Sequence, residues 1–462
     1  MITGLQTRAG TLGLAAALAA GLILLASIAV IGPGAVDAAP AGPAVAEGDL
    51  DATFGTGGLV TTTVDLRADA RAVAVQTDGK IVVAGSRLSP DYETSVALAR
   101  YTPAGALDPD FGNAGLVTAP DTPGTVAVCR DVALQADGKI VCAGFAATAG
   151  RSYFLLTRYG AGGSLDATFG TGGVVTTALN SQDSASAVLI QPDAKIVVAG
   201  SSRDALNNSL GFALARYTPG GSLDATFGTG GVVVTPVGGN WDAVHALALQ
   251  AGGKIVAAGR AGSDGVTEFA LARYTPGGSL DATFGSGGIA STSLGGYNVV
   301  LALGQQSGGQ FVAVGVHDTG SGEWAALARF TAEGALDATF GSSGTTLTLV
   351  GQVGSPTEDA LVLPGDGIVV AGSSQTAAGS DLMLLRYTAS GQLDPVFGTG
   401  GVVTTSLPIG AAYGRGVAQQ RSKLIVAGDV ELSAGLDAES VLVVARHFGG
   451  QVTQVYLPLV LR

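Results

Sequence analysis

The feature that most constrains this chain is a short motif, Leu-Asp-x-x-Phe-Gly, which recurs at a nearly fixed interval. We call it the anchor, and its seven aspartates are Asp51, Asp108, Asp166, Asp224, Asp281, Asp337 and Asp394. Successive anchor aspartates are 56 to 58 residues apart. A period this constant indicates one structural unit repeated in series, with a hydrophobic core shared between neighbouring units.

Each repeat contains four short runs with the composition of β-strands. In the repeat that starts at Leu165 they are 173–177, 187–191, 195–200 and 212–217. Val, Ile, Thr, Tyr and Phe dominate the runs, and Gly, Pro and Asp separate them. The second and third runs are apolar on both faces, which is typical of strands covered on both sides. Four-stranded sheets packed face to face are the blades of a propeller. We therefore expect an all-β fold, a single seven-bladed β-propeller.

The two ends of the repeat region complement each other. The region opens with an anchor and one strand, 58–63, and closes with three strands, 414–419, 423–428 and 441–446. An unpaired edge strand invites aggregation, and pairing the two ends would remove both free edges. We expect the N-terminal strand to complete the seventh blade.

Three phrases recur in this order: "LDATFGTGG", "DGKIVVAG" and "ALARYTPGGSLD". They resemble the delta-60 repeat, a bacterial propeller-like repeat of otherwise unknown role, over about residues 50–449. The resemblance implies the fold and brings no activity with it. Departures are local: Gly309-Gln310 replaces Gly-Lys, and Arg446-His447-Phe448 replaces Arg-Tyr-Thr.

An apolar run at 11–32, preceded by Arg8, indicates a secretory signal peptide. Small residues place its cleavage after Ala38 or Ala46. Because the run is also long enough to span a bilayer, the alternative is an uncleaved segment that holds the protein in the membrane. The expected organisation is a leader and linker at 1–46, the propeller at 50–449 and a tail at 450–462. The protein is expected to be secreted or on the cell surface, or else N-terminally membrane-anchored.

Charge narrows the possible partners. The formal net charge is −13, whereas nucleic-acid binding needs clustered Lys and Arg. We expect no nucleic-acid partner, no membrane contact apart from the leader, and a monomer.

The only two cysteines, Cys129 and Cys142, fall in one predicted hairpin. Export permits a disulfide. The hairpin register, however, places Cys142 opposite Val132 or Ala133 and not opposite Cys129. The sequence leaves both states open.

Seven arginines recur with the anchors, six of them eight residues before the next anchor aspartate. They are Arg100, Arg158, Arg216, Arg273, Arg329, Arg386 and Arg446. Since buried charges persist mainly when paired, we interpret these arginines and the anchor aspartates as structural partners. No loop has the alternating acidic ligands of a calcium site. We expect no metal and no cofactor, and we assign no catalytic residue.

The two faces of the predicted ring differ in their loops. We label the strands of a unit A, B, C and D, with D taken from the start of the next repeat. Successive strands reverse direction, so the A→B and C→D connections leave one face, which we call the uniform face because they are nearly invariant. The B→C and D→A connections vary and form the variable face. Binding residues concentrate in varied loops on a rigid scaffold, and we expect any site there.

Aromatic residues outside the repeat pattern suggest a binding patch near the fourth and fifth units. Its predicted residues are Trp241, Tyr297, Trp324, His317, Asp318 and Glu323. Aromatics beside carboxylates suit stacking on a sugar or anchoring a protein. The alternative interpretation is that both tryptophans fold into the core.

These observations predict a non-catalytic binding or scaffolding module for an extracellular glycan, polymer or protein. The alternative is a propeller hydrolase or lyase that acts on a polysaccharide or lactone near the central axis. Inward carboxylates or a histidine at the axial mouth would indicate that alternative.

Overall fold

The computed structural model describes residues 45–119, 124–204, 209–263, 265–351, 354, 356–376, 379–432 and 440–449. The predicted leader up to residue 44 and the predicted tail from residue 450 lie outside the described residues. The described residues belong to one compact unit. Among them, no helix has the length and hydrophobicity needed to cross a membrane.

The described chain is all-β. Its first strands are β1 (Leu59–Thr62), β2 (Arg67–Val75), β3 (Ile81–Leu88), β4 (Thr94–Tyr101), β5 (Leu116–Thr118), β6 (Thr125–Leu134), β7 (Ile140–Thr148), β8 (Arg151–Tyr159), β9 (Val174–Thr177), β10 (Gln182–Ile190), β11 (Ile196–Asp204), β12 (Ser209–Tyr217), β13 (Val232–Thr235) and β14 (Ala243–Gln250). After a 3-10 turn at Ala251–Gly253 follow β15 (Lys254–Ser263), β16 (Val266–Tyr274), β17 (Ile289–Thr292), β18 (Tyr297–Gln305), β19 (Phe311–Asp318), β20 (Glu323–Phe330), β21 (Thr345–Thr348), β22 (Thr357–Val362), β23 (Ile368–Thr376), β24 (Gly379–Tyr387), β25 (Val402–Thr405), β26 (Ala411–Gln420), β27 (Lys423–Glu431) and β28 (Ser440–Phe448).

The strands pair as antiparallel four-stranded units in the order A-B-C-D. Unit 1 is β2-β3-β4-β5, and the units that follow take four strands each up to β22-β23-β24-β25. Single-residue parallel bridges link two neighbouring pairs of units, between Arg67 and Ser440 and between Gln182 and Ser152. Among the described strands, no sheet closes on itself. The repeats are therefore propeller-like, and each forms one four-stranded unit.

The pairing predicted between the two ends of the chain is present. Strand β1 pairs antiparallel with β28, with Leu59 opposite Ala445 and Thr62 opposite Leu442. β1 is thus the D strand of the unit that contains β26, β27 and β28. Tyr101 of β4 donates a hydrogen bond to Thr62 Oγ1 at 2.8 Å, which ties this unit to unit 1.

The hydrophobic core lies between neighbouring units. One cluster joins Val83 of unit 1 to Ile425 of β27, and another joins Val198 of β11 to Val141 of β7. The B and C strands together supply most of the fully buried residues, and the apolar sequence of the B strands on both faces predicts their part. Each fully buried Val, Leu or Ile contributes about 1.5–3 kcal/mol relative to an exposed one. The units consequently stabilise one another.

Every A strand contains a β-bulge, an extra residue at which the register with the B strand shifts. The seven extra residues, which we call the bulge residues, are Arg71, Arg130, Ser186, His245, Leu301, Glu358 and Arg415. The bulges lie near the middle of β2, β6, β10, β18 and β26 and close to the start of β14 and β22.

A glycine in each B strand is required by the bulge. In unit 4, a Cβ atom added to Gly259 would lie 1.8 Å from the carbonyl oxygen of Ala243. The equivalent glycines Gly85, Gly144, Gly200, Gly315, Gly372 and Gly428 would place a Cβ 1.8 to 2.2 Å from the matching oxygen. The glycine that ends the "KIVVAG" phrase is therefore required, because the Cβ of any other residue would clash with a carbonyl oxygen of the A strand.

The two cysteines form a disulfide, with their Cα atoms 5.7 Å apart. The predicted register is correct, because Val132 lies opposite Cys142. The inference that this register separates the cysteines was wrong. The extra residue Arg130 shifts the register between β6 and β7. Cys129 and Cys142, which are diagonal neighbours on these strands, bond to each other beside the bulge.

Candidate functional site

The repeat arginines and anchor aspartates form one recurring arrangement at the uniform face. Arg100 Nε lies 2.7 Å from Asp108 Oδ2, and Lys80 Nζ lies 3.0 Å from the same oxygen. The guanidinium stacks on Phe111 at 4.4 Å and donates to the carbonyl of Ala161 in the next unit. The other pairs are Arg158–Asp166, Arg216–Asp224, Arg273–Asp281, Arg329–Asp337, Arg386–Asp394 and Arg446–Asp51.

These contacts hold the anchor carboxylates in the ionised form. Hydrogen bonds from Thr168 and the charge of Arg158 lower the pKa of Asp166 to about 2. Burial opposes ionisation of Asp51, yet hydrogen bonds from Lys423 and Thr53 still lower its pKa to about 2. The anchor carboxylates are thus occupied by cations and N–H groups of the fold. In the described ranges, His, Cys, Asp and Glu side chains form no group that would hold a metal ion.

Five of the six predicted patch residues lie in unit 5, but they are divided between two adjacent rows of cross-strand partners. Tyr297, Asp318 and Glu323 lie opposite one another on the A, B and C strands. His317 and Trp324 form a pair in the adjacent row. Neighbouring rows of a sheet project to opposite sides, so the six residues do not form one continuous surface.

Trp241 joins the first row through an arginine that the sequence analysis did not single out. Arg260 Nε donates to the Trp241 carbonyl at 3.1 Å, and Arg260 Nη1 donates to Tyr297 Oη at 2.5 Å. The Trp241 residue is 40% exposed, whereas Trp324 is half-buried. Trp241 and Tyr297 therefore offer aromatic surface next to a cation.

The predicted patch residue His317 lies in the interior. It is buried, and its Nδ1 lies 2.8 Å from Asn298 Oδ1. Asn298 in turn donates to the Thr267 carbonyl at 2.7 Å. A histidine held in this network packs unit 5 against unit 4 and is not exposed to a ligand. Glu323, by contrast, is accessible, and burial followed by the charges of Asp318 and Glu358 raises its pKa.

Sequence reasoning missed the bulge residues, which interact across unit boundaries. Arg130 Nη1 donates to Ser186 Oγ at 3.3 Å in the next unit. Arg415 Nη1 lies 2.6 Å from Glu358 Oε1, and its Nε lies 3.1 Å from Asp429 Oδ1. The signal in the sequence is one varied position per repeat inside an otherwise apolar run, paired with the B-strand glycine.

His245 is the bulge residue of unit 4, and its surroundings are unusual. Its Nε2 is buried and has no hydrogen-bond partner among the described residues. Burial, followed by the charges of Arg260 and Arg130, lowers its pKa to about 3. Burial and the charge of Arg71 likewise lower the pKa of Arg130. Charged side chains of units 1, 2 and 4 thus affect the pKa values of Arg130 and His245.

A cleft of about 530 Å³ lies between units 2 and 3 on the variable face. The B→C connection of unit 2 supplies Ala149 and Gly150, the start of β8 supplies Arg151 and Ser152, and the start of β10 supplies Gln182 and Ser184. Arg203 closes the far side. The lining is rich in hydrogen-bonding side chains and suits a polar ligand.

Five segments of the chain match a family model described as a domain of unknown function (DUF5122) beta-propeller: residues 76–111, 135–169, 191–227, 250–284 and 365–397. These matches support a β-propeller repeat family, and the chain has a β-propeller fold. No curated protein sequence is significantly similar to it.

Several solved structures resemble the chain at low sequence identity. Polysaccharide lyase Uly1 is 11% identical with a TM-score of 0.48, covering 90% of this chain and 94% of that one. Semaphorin 2a of Drosophila is 8% identical with a TM-score of 0.48, covering 88% and 76%. Sqt1 of Chaetomium thermophilum is 11% identical with a TM-score of 0.41, covering 85% and 100%.

Proposed function

We propose that the chain is an exported, non-catalytic binding or scaffolding propeller whose variable face takes an extracellular glycan, polymer or protein. The observation that carries the proposal is the polar cleft between units 2 and 3, which is lined by the B→C connection of unit 2 and by adjoining strand residues. The uniform face has a pocket of about 500 Å³, but Lys195 and Arg216 in its lining are already paired with Asp224. Rigid scaffolds with one varied face are typical of binding modules.

We propose further that the units form one ring of seven blades. Each A strand contacts the next along the chain, and β26 contacts β2. The hydrophobic clusters follow the same order, and one of them joins β27 and β28 to unit 1. In such a ring the A strands, which carry the bulge residues, would surround the central axis.

Export is the third part of the proposal, with the secreted protein or the cell surface as its destination. Cleavage after Ala38 or Ala46 would leave Glu47 in the mature chain. Its carboxylate forms an ion pair with Arg386. N-terminal sequencing of protein recovered from the medium tests export. Recovery of the intact chain in the membrane fraction would support the anchored form instead.

A binding experiment on the mature chain tests the function. Immobilised polysaccharides, both neutral and acidic, are probed by biolayer interferometry with the wild type and with Ser152→Trp, which fills the cleft. Ser342→Trp, an exposed position in a C→D connection, is the matched control. We expect saturable binding that Ser152→Trp weakens and Ser342→Trp leaves unchanged. Equal binding by all three chains, or no binding to any polysaccharide, would contradict a glycan ligand in the cleft.

A hydrolase or lyase is the second candidate, and one cluster favours it. Burial raises the pKa of Asp429 to about 6, a value suited to acid–base chemistry. The Asp429 side chain is only 3% exposed, however, and it is engaged by Arg415. Binding is therefore the better-supported function. Release of reducing ends or unsaturated sugars from the same polysaccharides, lost in Asp429→Asn, would reverse this preference.

A further inference from the structure

Two arginines among the bulge residues have few partners. Arg71 lies 3.8 Å from Asp69 and its side chain is 41% exposed. Arg130 makes one hydrogen bond, to Ser186, and stacks on Phe145 at 5.0 Å. Within the described part of the chain, neither guanidinium has a carboxylate in close bidentate contact, the geometry in which arginine binds an oxyanion best.

These two arginines and His245 occupy equivalent positions on the A strands of units 1, 2 and 4. Strand β2 contacts β6, β6 contacts β10 and β10 contacts β14, and each strand contributes one bulge residue. Bulge residues of neighbouring units also contact one another directly, because Arg130 Nη1 donates to Ser186 Oγ at 3.3 Å and Arg415 Nη1 lies 2.6 Å from Glu358 Oε1. The charge of Arg71 acts on Arg130, and the charge of Arg130 acts on His245, which agrees with this placement.

The nearby carboxylates are already engaged. Asp69 Oδ1 lies 3.1 Å from Arg67 Nε. Glu358 and Asp429 both contact Arg415, within 2.6 and 3.1 Å. Arg71 and Arg130 therefore keep N–H donors for a ligand, and His245 Nε2 is buried without a hydrogen-bond partner among the described residues.

We propose that Arg71, Arg130 and His245 bind an oxyanion group of an acidic polysaccharide, a carboxylate or a sulfate, along the row of neighbouring A strands. The proposal rests on the proposed function in taking a polysaccharide as the ligand. The arginines supply bidentate, charge-assisted hydrogen bonds, and the neutral imidazole donates or accepts one more at Nε2. Neutral sugars would bind elsewhere, including the cleft.

The test uses the mature chain and small anions as probes. Sodium sulfate and sodium acetate are titrated at constant ionic strength, with chloride as the reference, while the imidazole NMR signals of His245 are followed. His245→Gln assigns those signals among the three histidines. We expect a saturable shift with sulfate or acetate beyond that seen with chloride. The absence of such a shift would overturn the proposal.

Two variants that each remove one positive charge distinguish binding at this site from binding in the cleft. Arg130→Gln should weaken sulfate or acetate binding by at least about tenfold, because a charge-assisted hydrogen bond is lost. Arg151→Gln, in the cleft, should leave it unchanged. Thermal unfolding establishes that both variants are folded, and Arg71→Gln provides a second test if Arg130→Gln is not. Wild-type affinity in the folded Arg130→Gln variant would contradict the proposal.

Polysaccharides then separate this proposal from the proposed function. Sulfated, carboxylated and neutral polysaccharides are compared on the wild type and Arg130→Gln. We expect Arg130→Gln to lose affinity for one or both acidic classes, and the class affected identifies the oxyanion. If all polysaccharides bind and Arg130→Gln has no effect, the binding function stands and the oxyanion site falls. If the small anions bind but no polysaccharide does, the site stands and the polysaccharide function falls.

Discussion

Arg446 and Asp51, the last repeat arginine and the first anchor aspartate, form an ion pair with Arg446 Nε 2.9 Å from Asp51 Oδ2. The same guanidinium donates to the Pro103 carbonyl at 2.5 Å and stacks on Phe54 at 4.7 Å. Elsewhere an arginine makes these contacts with the anchor that follows it in sequence. The two ends of the chain therefore meet through the same interface that joins consecutive repeats.

Deletion of residues 50–64 should destabilise the whole molecule. The deletion removes Asp51 and β1, which leaves the Arg446 charge without its carboxylate and the edge of β28 unpaired. Loss of one partner of a buried ion pair alone costs about 3–5 kcal/mol. We expect a lower and broader thermal unfolding transition and aggregation through the open edge. Deletion of 450–462 is the control, and equal unfolding midpoints for the two truncations would contradict the closure.

Gly259→Ala should destabilise the fold although it adds only a methyl group. The new Cβ would lie 1.8 Å from the Ala243 carbonyl oxygen, so the bulge would have to shift. We expect a loss of about 1–3 kcal/mol, the range for overpacked interiors, measured by urea denaturation. Gly162→Ala meets no atom within 4 Å and should change stability little. Matching curves for the two variants would show that the bulge tolerates a side chain.

The strand order was predictable from the sequence, whereas the bulge residues were not. The anchor and the apolar B runs repeat, and each repeat imposes the same pairing on its neighbours. Arg71, Arg130 and His245 do not resemble one another, and only the bulge places them at equivalent positions. The B-strand glycine was visible as a repeated letter, but its steric cause depends on a carbonyl in another strand.

The predicted patch illustrates a second limit. Sequence reasoning assigned Tyr297, Asp318 and Glu323 to loops of one patch, and the structure places them opposite one another on neighbouring strands of unit 5. It could not tell which face of the sheet each side chain takes, because a shift of one residue reverses the face. His317 was therefore counted as accessible although Asn298 holds it in the interior.

Acid should unfold the protein between about pH 4 and about pH 2. The folded-state pKa of Asp51 and Asp166 is about 2, below the ordinary value of 3.8, so these carboxylates stabilise the fold above about pH 4. That stability is lost as pH falls through the folded-state pKa. Asp429, whose pKa is raised to about 6, acts in the opposite sense between the two values. Thermal midpoints measured across this range should fall steeply only below about pH 4, and a flat profile there would contradict the role of the anchors.

Removal of the disulfide should cost stability without changing the fold. Cys129 and Cys142 are 13 residues apart, and closing a loop of about this length stabilises a protein by about 3 kcal/mol in the chain-entropy description. The double variant Cys129→Ala, Cys142→Ala should therefore unfold at a lower temperature than the oxidised wild type. Reduction of the wild type should give a similar shift. If neither treatment moves the midpoint, the bond does not form in solution or does not contribute.

Trp241→Ala and Trp324→Ala should separate recognition from packing. Trp241 is 40% exposed and interacts with its neighbours through its backbone, since its N–H donates to Gly262 and its carbonyl accepts from Arg260. Its replacement should change stability by less than about 1 kcal/mol. It should reduce affinity for a bound polysaccharide by about tenfold or more, the size of effect expected for an aromatic at the centre of a binding surface.

Trp324 is half-buried and pairs with His317, so its replacement should cost more stability, about 2 kcal/mol, because apolar area is lost from the interior. Urea denaturation and biolayer interferometry on the same preparations give both quantities. Wild-type affinity in Trp241→Ala, together with a large loss of stability, would show that this tryptophan caps the interior, and the aromatic patch would then have no part in recognition.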